Sequence, residues 1–324
     1  MKIPEIPTNI RLELPQRGSW PATWHIFDEA EGSADALLMA WAAERPLLVR
    51  GEPGTGKSQL ARAAAEVLRR LFVAEVVDAR SEPQDLKWRF DAIGRLGEAQ
   101  ACGLAKARAS EPDQDPLDPR RFINPGVLWW VFDWASAAEQ HEQYSRHKLY
   151  RPQPPDDWSA EQGCVLLIDE IDKADGDLPN GLLETLGNRS FNVPWIDRAV
   201  GQRDGQPTPL VIITTNEERE LPAAFVRRCL VLNLSLPANL TAWLVARARI
   251  HFPDVEQCSD NVLEKAAEQL AKDREAAKLQ GVTPPGQAEY LDLLKALVTL
   301  DREESAQLKR LDQLSRFALQ KYPQ

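Results

Sequence analysis

The segment from Gly51 to Ser58 combines three glycines, a lysine and a hydroxyl group at a spacing suited to binding phosphate. Glycines let backbone N–H groups converge on an anion because no Cβ stands in the way. The helix expected after the loop adds a partial positive charge. Lys57 supplies a charge to the β and γ phosphates of a nucleotide, and the Ser58 hydroxyl is a ligand for Mg²⁺. The residues expected to contact the nucleotide are Gly51, Glu52, Pro53, Gly54, Thr55, Gly56, Lys57, Ser58 and Gln59.

An apolar run from Val165 to Ile168 ends in the acidic pair Asp169 and Glu170. Open α/β folds bind ligands at the carboxyl ends of their strands, which places Asp169 at the ligand-binding edge of a sheet. There Asp169 would hold Mg²⁺ through water, and Glu170 would orient and polarise the water that attacks the γ-phosphate. Many buried strands end in an acid, so the pair indicates a nucleotide site only because it follows a phosphate loop along the chain.

Asn216 follows a later apolar run, and Arg227 and Arg228 come shortly after it. A polar group at a strand end can reach the γ-phosphate or the attacking water, although Asn216 would equally suit the capping of a turn. An arginine delivered to the γ-phosphate of a neighbouring subunit raises the hydrolysis rate by orders of magnitude. Taken without the other motifs, Arg227 and Arg228 would be two solvated surface residues.

The elements around these residues have the order that the chemistry requires. The apolar run 47–49 enters the phosphate loop, and an Ala-, Leu- and Arg-rich helix over 59–72 leaves it. Further strands are predicted over 73–77, 165–168, 210–213 and 230–234. These runs do not alternate with polar residues, so they predict a parallel sheet covered on both faces.

The remaining segments predict helices separated by Pro-rich loops. Residues 1–24 read as an irregular arm, 27–43, 85–106 and 127–138 as helices, and 111–119 and 151–157 as loops. After Pro237 the composition changes, and four helices are predicted over 240–250, 260–279, 287–300 and 303–319. A domain boundary is therefore expected near Pro237.

Composition limits the classes of function. The net charge of -10 and a pI near 5.1 argue against a general nucleic-acid binder, which carries a basic face. Residues 1–8 lack the apolar core of a signal peptide, and no apolar run approaches the length of a membrane span. The four cysteines form no CxxC pair, so Cys164 and Cys229 are expected to be small buried hydrophobes. We expect a soluble, cytoplasmic protein.

These motifs in this order resemble the AAA+ ATPases. In the terms of that family, Gly51 to Ser58 is similar to Walker A, Asp169 and Glu170 to Walker B, Asn216 to sensor 1, and Arg227 or Arg228 to the arginine finger. The resemblance, over about residues 25–300, implies a P-loop three-layer α/β sandwich with a parallel sheet in the order 5-1-4-3-2. It also implies that an all-α lid follows. The expected division is an arm at 1–24, a large α/β subdomain at 25–237 with an insert at about 85–160, and a lid at 238–324.

Within that superfamily the chain looks most like the MoxR-like, dynein-related branch. The segment from Asn216 to Arg228, the long stretch before Asp169, and the turn around Asn124-Pro125-Gly126 carry this resemblance. No arginine stands in 283–286, where many relatives have a sensor 2 arginine, and Lys278 or a residue of a neighbouring subunit would have to replace it. The resemblance implies a hexameric ring that hydrolyses ATP with Mg²⁺ and works with a protein partner, in many relatives one with a von Willebrand factor A domain.

Three functions stay open from the sequence. The first is a ring motor that remodels a protein partner, as a MoxR-like chaperone does. The second is a nucleotide-gated regulatory or assembly ATPase of a bacterial defence or conflict system. The third, which the acidic charge disfavours, is a DNA-acting motor.

A few further residues have two interpretations each. Trp129, Trp130 and Trp134 fall at helical spacing, which favours core packing over contact with a substrate or partner. Trp88 is either a buried anchor or part of a pore loop that grips a threaded segment. Arg189 is either a surface residue or a second arginine between subunits. His141 and His147 are poorly spaced for a metal on one helix face.

Overall fold

The structure, a computed structural model, describes residues 3–104, 115–149, 151–196, 199–202 and 205–320. The strands are β1 (Leu12–Leu14), β2 (Thr23–His25), β3 (Leu47–Gly51), β4 (Leu71–Val76), β5 (Trp88–Phe90), β6 (Ile123–Pro125), β7 (Cys164–Asp169), β8 (Ser190–Asn192), β9 (Ala199–Gly201), β10 (Leu210–Thr215) and β11 (Leu230–Leu234). The helices are α1 (Ser33–Ala43), α2 (Lys57–Leu68), α3 (Ala92–Leu104), α4 (Val127–Phe132), α5 (Trp134–Glu139), α6 (Asp177–Asn188), α7 (Ala223–Arg228), α8 (Leu240–His251), α9 (Asp260–Leu279), α10 (Gln287–Leu300) and α11 (Glu304–Ala318).

Five parallel strands form the central sheet in the order β11-β3-β10-β7-β4. Counted along the chain within this sheet, that is the predicted order 5-1-4-3-2, which is confirmed. Strands β7 and β10 are buried along their whole length, as their unbroken apolar composition predicts. Because all five strands run the same way, Gly51, Asp169 and Thr215 end at one edge of the sheet.

Alternate residues of the central strands face opposite layers of helices. Leu166 and Ile213 belong to a core formed with α4, α6 and α7, whereas Leu167 and Ile212 belong to a core formed with α1 and α2. The period of two along each strand thus divides the apolar residues between two cores. The three-layer sandwich that the resemblance implied is confirmed.

Helices α8 to α11 surround a third apolar cluster, to which only residues after 239 contribute among those the structure describes. Tyr290 lies at its centre, fully buried, and its hydroxyl donates to the carbonyl oxygen of Leu263 at 2.9 Å. The four helices predicted here are confirmed to within one residue at each end. Within the described residues, no helix is both long enough and apolar enough to cross a bilayer.

The prediction of an irregular arm over 1–24 was wrong for its second half. Strands β1 and β2 pair antiparallel, and Leu14 is buried in the core that α2 helps to form. The helix predicted from residue 27 begins later, at Ser33, because Asp28 caps a short 3-10 turn and Gly32 has a left-handed conformation with φ 64°. The prolines of this segment led to the prediction of an irregular arm where two short strands form.

Three predicted helices have different bounds. The helix over 59–72 ends at Leu68, because Arg69 is left-handed (φ 51°) and β4 begins at Leu71. The helix over 85–106 is preceded by β5, which pairs with β6, so α3 starts at Ala92. The helix over 127–138 is divided at Asp133, whose side chain accepts from the N–H of Ser136 and begins α5. The predicted loop over 111–119 lies partly outside the described residues, which resume at 115.

Candidate nucleotide site

The phosphate loop connects β3 to α2, and Lys57 is the first residue of α2. Gly51 and Gly56 have φ angles of 154° and 89°, which residues with a side chain rarely adopt. A Cβ on Gly51 would also lie 2.5 Å from the carbonyl oxygen of Leu234 on the neighbouring strand β11. The loop therefore needs its glycines for backbone conformation and for close packing against the sheet.

Lys57 is buried, and its ammonium group donates to carbonyl oxygens of its own loop. Nζ lies 2.7 Å from the oxygen of Gly51 and 2.8 Å from that of Glu52. Burial lowers the pKa of Lys57, while nearby carboxylates, Asp169 first among them, oppose that change. An ammonium group has three N–H donors, so Lys57 can donate to a phosphate oxygen while it keeps these two carbonyl bonds.

Ser58 and Asp169 meet across the loop, as the sequence predicted. The Ser58 hydroxyl donates to the two oxygens of Asp169 at 2.9 and 3.0 Å, and Thr214 donates to the same carboxylate at 2.6 Å. A hydroxyl and one carboxylate form a donor set of hard oxygens. This set suits Mg²⁺, which is held in nucleotide sites by one or two carboxylates together with the substrate phosphates. The described residues contain no group of three or more His, Cys, Asp or Glu that could hold a metal by itself.

Glu170 and Asn216 also lie together. Asn216 Nδ2 donates to Glu170 Oε1 at 3.3 Å, while Lys173 Nζ donates to Glu170 Oε2 at 2.5 Å. This hydrogen bond to Glu170 raises the pKa of Lys173. Lys173 was not among the predicted site residues, although a lysine three residues after the acid was the available signal.

A buried carboxylate holds the segment that carries Asn216. Asp172 is 1% exposed, and it accepts from the N–H of Asn216 at 3.2 Å and from that of Glu218 at 2.9 Å. Thr214 in turn accepts from the N–H of Glu170 at 2.9 Å. Glu170 thus donates to β10, and Asn216 donates to the segment after β7. These two hydrogen bonds fix Glu170 relative to Asn216.

The far end of the cleft is aromatic. It is lined by Trp20, Trp24, His25, Trp243, Arg247, Ile250 and His251. Burial, assisted by Arg247, lowers the pKa of His25 to about 3, and burial also lowers that of His251 to about 4. Both rings are therefore neutral at pH 7, and flat apolar walls of this kind suit a nucleobase. These residues were not among the predicted site residues, because residues 1–24 were predicted to be irregular.

The arginines predicted to act as a finger lie elsewhere. Arg227 and Arg228 are exposed at the end of α7, and neither is among the described residues that line the cleft. The guanidinium of Arg45 donates to the carbonyl oxygens of Arg227 and Arg228 at 2.6 and 3.2 Å. This bond pattern caps the C-terminus of α7 and fixes the helix that carries both arginines.

At the start of α10, where the resemblance expects a sensor 2 arginine, Gln287 and Ala288 line the cleft instead. Gly286 packs on the phosphate loop so closely that a Cβ would lie 2.8 Å from the carbonyl oxygen of Pro53. Lys278, the suggested substitute, lies 3.5 Å from Glu275 and is not one of the described cleft residues. The position of Lys278 therefore argues against a contact with the phosphates bound to its own chain.

Burial decides between the two interpretations of Trp88, Trp129 and Trp130. Trp88 is 7% exposed and is a buried anchor, so it cannot grip a threaded segment. Trp129 and Trp130 are core residues, each 1% exposed. Arg189 donates to Glu44 within the same chain at 2.8 Å. Burial raises the pKa of the Cys164 thiol to about 12, which suits the inert buried role expected for it.

The two histidines considered for a metal have partners within the chain. His141 lies 3.1 Å from the carbonyl oxygen of Leu149, and His147 lies 3.1 Å from a carboxylate oxygen of Asp91. The two histidines thus contact different groups.

The fold and this site together define a P-loop ATPase. The family model described as "AAA domain (dynein-related subfamily)" matches residues 46–229, more than half of the chain. The chain therefore belongs to the dynein-related AAA ATPases, and it binds ATP with Mg²⁺ and hydrolyses ATP. The resemblance noted from the motifs is confirmed at this level.

The solved structures that match the chain include two of low sequence identity. No curated protein matches the chain. A variant of the RuvB protein of Thermotoga maritima is 17% identical, with a TM-score of 0.44, and the match covers 89% of this chain and 69% of that one. The Thermotoga maritima RuvB Holliday junction branch migration motor is 15% identical, with a TM-score of 0.42, and the match covers 88% and 68%.

Proposed function

We propose that this ATPase forms a ring in which each active site lies between two copies, and that the ring remodels a protein partner in the manner of MoxR-like ATPases. The observation that carries the proposal is the position of Arg227 and Arg228. Both are exposed and fixed by Arg45, yet both lie outside the cleft of their own chain. A second copy that brings this surface to the cleft would complete the site, and a closed ring, six-membered in the relatives it resembles, satisfies every copy.

The residues at the loop would then divide the chemistry. Lys57 binds the β and γ phosphates, and Ser58 and Asp169 hold Mg²⁺, which neutralises the phosphate charge. Glu170 polarises the attacking water, while Asn216 positions that carboxylate or the γ-phosphate. One arginine of the neighbouring copy, Arg227 or Arg228, stabilises the charge that develops in the transition state.

The segment between β4 and β7 supports a protein partner. It contains the antiparallel strands β5 and β6 and, between them along the chain, α3, on which Ile93 and Leu96 are 86% and 61% exposed. Exposed apolar side chains suit contact with protein better than contact with phosphate backbones. The net charge of -10 points the same way, because it opposes binding to a polyanion. The resemblance also favours a partner with a von Willebrand factor A domain. It favours a division of the chain into an α/β subdomain at 25–237 and a helical lid at 238–324.

The rival proposal is a nucleotide-gated assembly ATPase in a defence system, in which ATP closes the ring and a partner performs the reaction. The two proposals differ in how turnover responds to the partner. A remodelling motor hydrolyses faster when its partner is present, whereas an assembly switch keeps a slow, unstimulated rate. The partner would be identified by purifying the protein with Glu170→Gln, which is expected to trap the ATP-bound ring.

Mixing two inactive variants tests the shared site. Subunits with Glu170→Gln keep their arginines, and subunits with Arg227→Ala and Arg228→Ala keep their catalytic loop. If the arginines act between copies, mixed rings contain some complete sites, and activity returns when the two proteins are combined. Arg316→Ala, which changes an arginine on α11, serves as the control and should leave the activity of unmixed protein intact. Failure of every mixing ratio to restore hydrolysis would overturn the shared site.

A further inference from the structure

One side chain of the helical C-terminal region reaches the phosphate loop. Arg274 on α9 donates to Glu52 Oε2 at 2.5 Å, and the two residues are separated by 222 positions along the chain. Its guanidinium also donates to the carbonyl oxygen of Pro285 at 2.7 Å, just before α10 begins. Arg274 therefore joins the loop to the turn that leads into α10.

The burial of the two partners is unequal. The side chain of Arg274 is 4% exposed, whereas that of Glu52 is 47% exposed. A buried guanidinium stays charged and needs an anionic partner, because the loss of hydration is compensated by close pairing. Glu52 thus satisfies Arg274, and Arg274 in return fixes a carboxylate that would otherwise move freely at the mouth of the loop.

The carboxylate of Glu52 adds negative charge to the phosphate loop, although Glu52 is not among the described residues that line the nucleotide cleft. Glu52 lies within the run Gly51 to Ser58, and its own carbonyl oxygen accepts from Lys57 Nζ at 2.8 Å. A negative charge on the loop opposes the binding of an anionic nucleotide, and a paired cation reduces that opposition. The pairing also holds the loop in one conformation before the nucleotide arrives, which lowers the entropy cost of binding.

We propose that Arg274 is a positioning residue for nucleotide binding, which acts by neutralising and holding Glu52. It does not contact the phosphates itself. It gives the α9–α10 region a direct connection to the loop in a chain that has no arginine at the start of α10. The contact of Gly286 with the Pro53 carbonyl lies beside this ion pair and keeps the turn against the loop.

The test is a rescue experiment on the full-length protein, with the dissociation constant for ADP as the readout. Arg274→Gln removes the cation and leaves the carboxylate of Glu52 unpaired, so ADP binding should weaken about tenfold. Adding Glu52→Gln to that variant removes the unpaired charge and should restore most of the affinity. Glu52→Gln alone should change the affinity by less than about threefold, because the loop loses a repulsive charge together with its anchor.

A merely structural role for Arg274 predicts a different result, since removing a second charge from the loop would not repair a damaged fold. The diagnostic outcome is therefore that the double variant recovers most of the ADP affinity while its melting temperature equals that of Arg274→Gln. The matched control is Arg310→Gln, which breaks the Arg310–Asp301 pair between α10 and α11 and should leave ADP affinity unchanged.

Two results would overturn the proposal. One is wild-type affinity for ADP in Arg274→Gln, and the other is equal weakening in Arg274→Gln and in the double variant. If Arg274→Gln does not fold, Arg274→Lys keeps a positive charge beside Glu52 and should bind ADP within about threefold of the wild type. A tenfold loss of ADP affinity in Arg274→Lys, at the wild-type melting temperature, would count against the proposal.

Discussion

Lys173 Nζ and Glu170 Oε2 lie 2.5 Å apart, immediately beyond the end of β7. The other oxygen of the same carboxylate accepts from Asn216 at 3.3 Å. Both oxygens of the group proposed to polarise water are thus bonded to protein donors. Water that Glu170 is to activate must share this carboxylate with both donors or displace one of them, and the side chain of Lys173 is 41% exposed.

The Lys173–Glu170 pair predicts an unusual effect of a lysine substitution. Lys173→Met removes a competitor for Glu170, so the rate of ATP hydrolysis should rise. A half-exposed ion pair is worth up to about 1 kcal/mol, which limits the increase to about fivefold. Steady-state hydrolysis at saturating ATP measures it, with Lys173→Arg as the control that keeps the pair. A fall in the rate to that of Glu170→Gln would show instead that Lys173 assists the reaction.

Replacement of Glu170 separates binding from hydrolysis. Glu170→Gln keeps the shape of the side chain but removes the charge that polarises water, so hydrolysis should fall by about 10²-fold or more. ATP affinity should stay within about threefold, since Lys57, Ser58 and Asp169 carry the phosphate and metal contacts. Glu218→Gln, a nearby exposed acid that contributes its backbone N–H, is the control and should remain active. Hydrolysis at the wild-type rate in Glu170→Gln would refute the role assigned to this residue.

The sequence was sufficient to predict the sheet and the residues at its edge. Buried parallel strands need apolar residues on both faces, and such runs are visible without any partner, as β7 and β10 illustrate. A phosphate loop demands glycine and lysine at fixed spacing, so its position is also visible. Adjacent parallel strands end side by side, so the strand order that the resemblance implied accounts for the contact between Asn216 and Glu170.

What the sequence did not predict depends on long-range pairing. Strands β1 and β2 are three residues each, and their stability comes from mutual pairing and from the burial of Leu14 against other elements. The role of Arg274 could not be predicted for a related reason. In the sequence it looks like a solvated arginine on an amphipathic helix, and only the fold brings the distant Glu52 beside it. Contacts between residues far apart in the chain carry no local pattern.

Asp172 makes a stability prediction that is separate from catalysis. Its buried carboxylate satisfies the N–H groups of Asn216 and Glu218, and Asp172→Ala leaves both without that acceptor. Loss of the charged acceptor of these partly buried N–H groups costs about 1–3 kcal/mol, so the free energy of unfolding should fall by about that amount. Urea denaturation measures the change, with Asp175→Ala, an exposed acid on the same turn, as the control. Equal stability of the two variants would mean that water replaces the lost carboxylate.

The two neutral histidines of the cleft predict how stability depends on pH. The pKa of His25 falls from 6.5 to about 3, mainly through burial, and that of His251 falls to about 4 for the same reason. Between these values and 6.5 the unfolded chain binds protons that the folded chain excludes, so protonation favours unfolding. Stability should therefore be full above about pH 6.5 and decline as the pH falls from 6.5 towards 4. Unfolding midpoints measured across this range should fall less steeply in His25→Phe than in the wild type. His147→Phe, which changes an exposed histidine, is the control, and an unaltered slope in His25→Phe would show that the buried ring does not set the dependence.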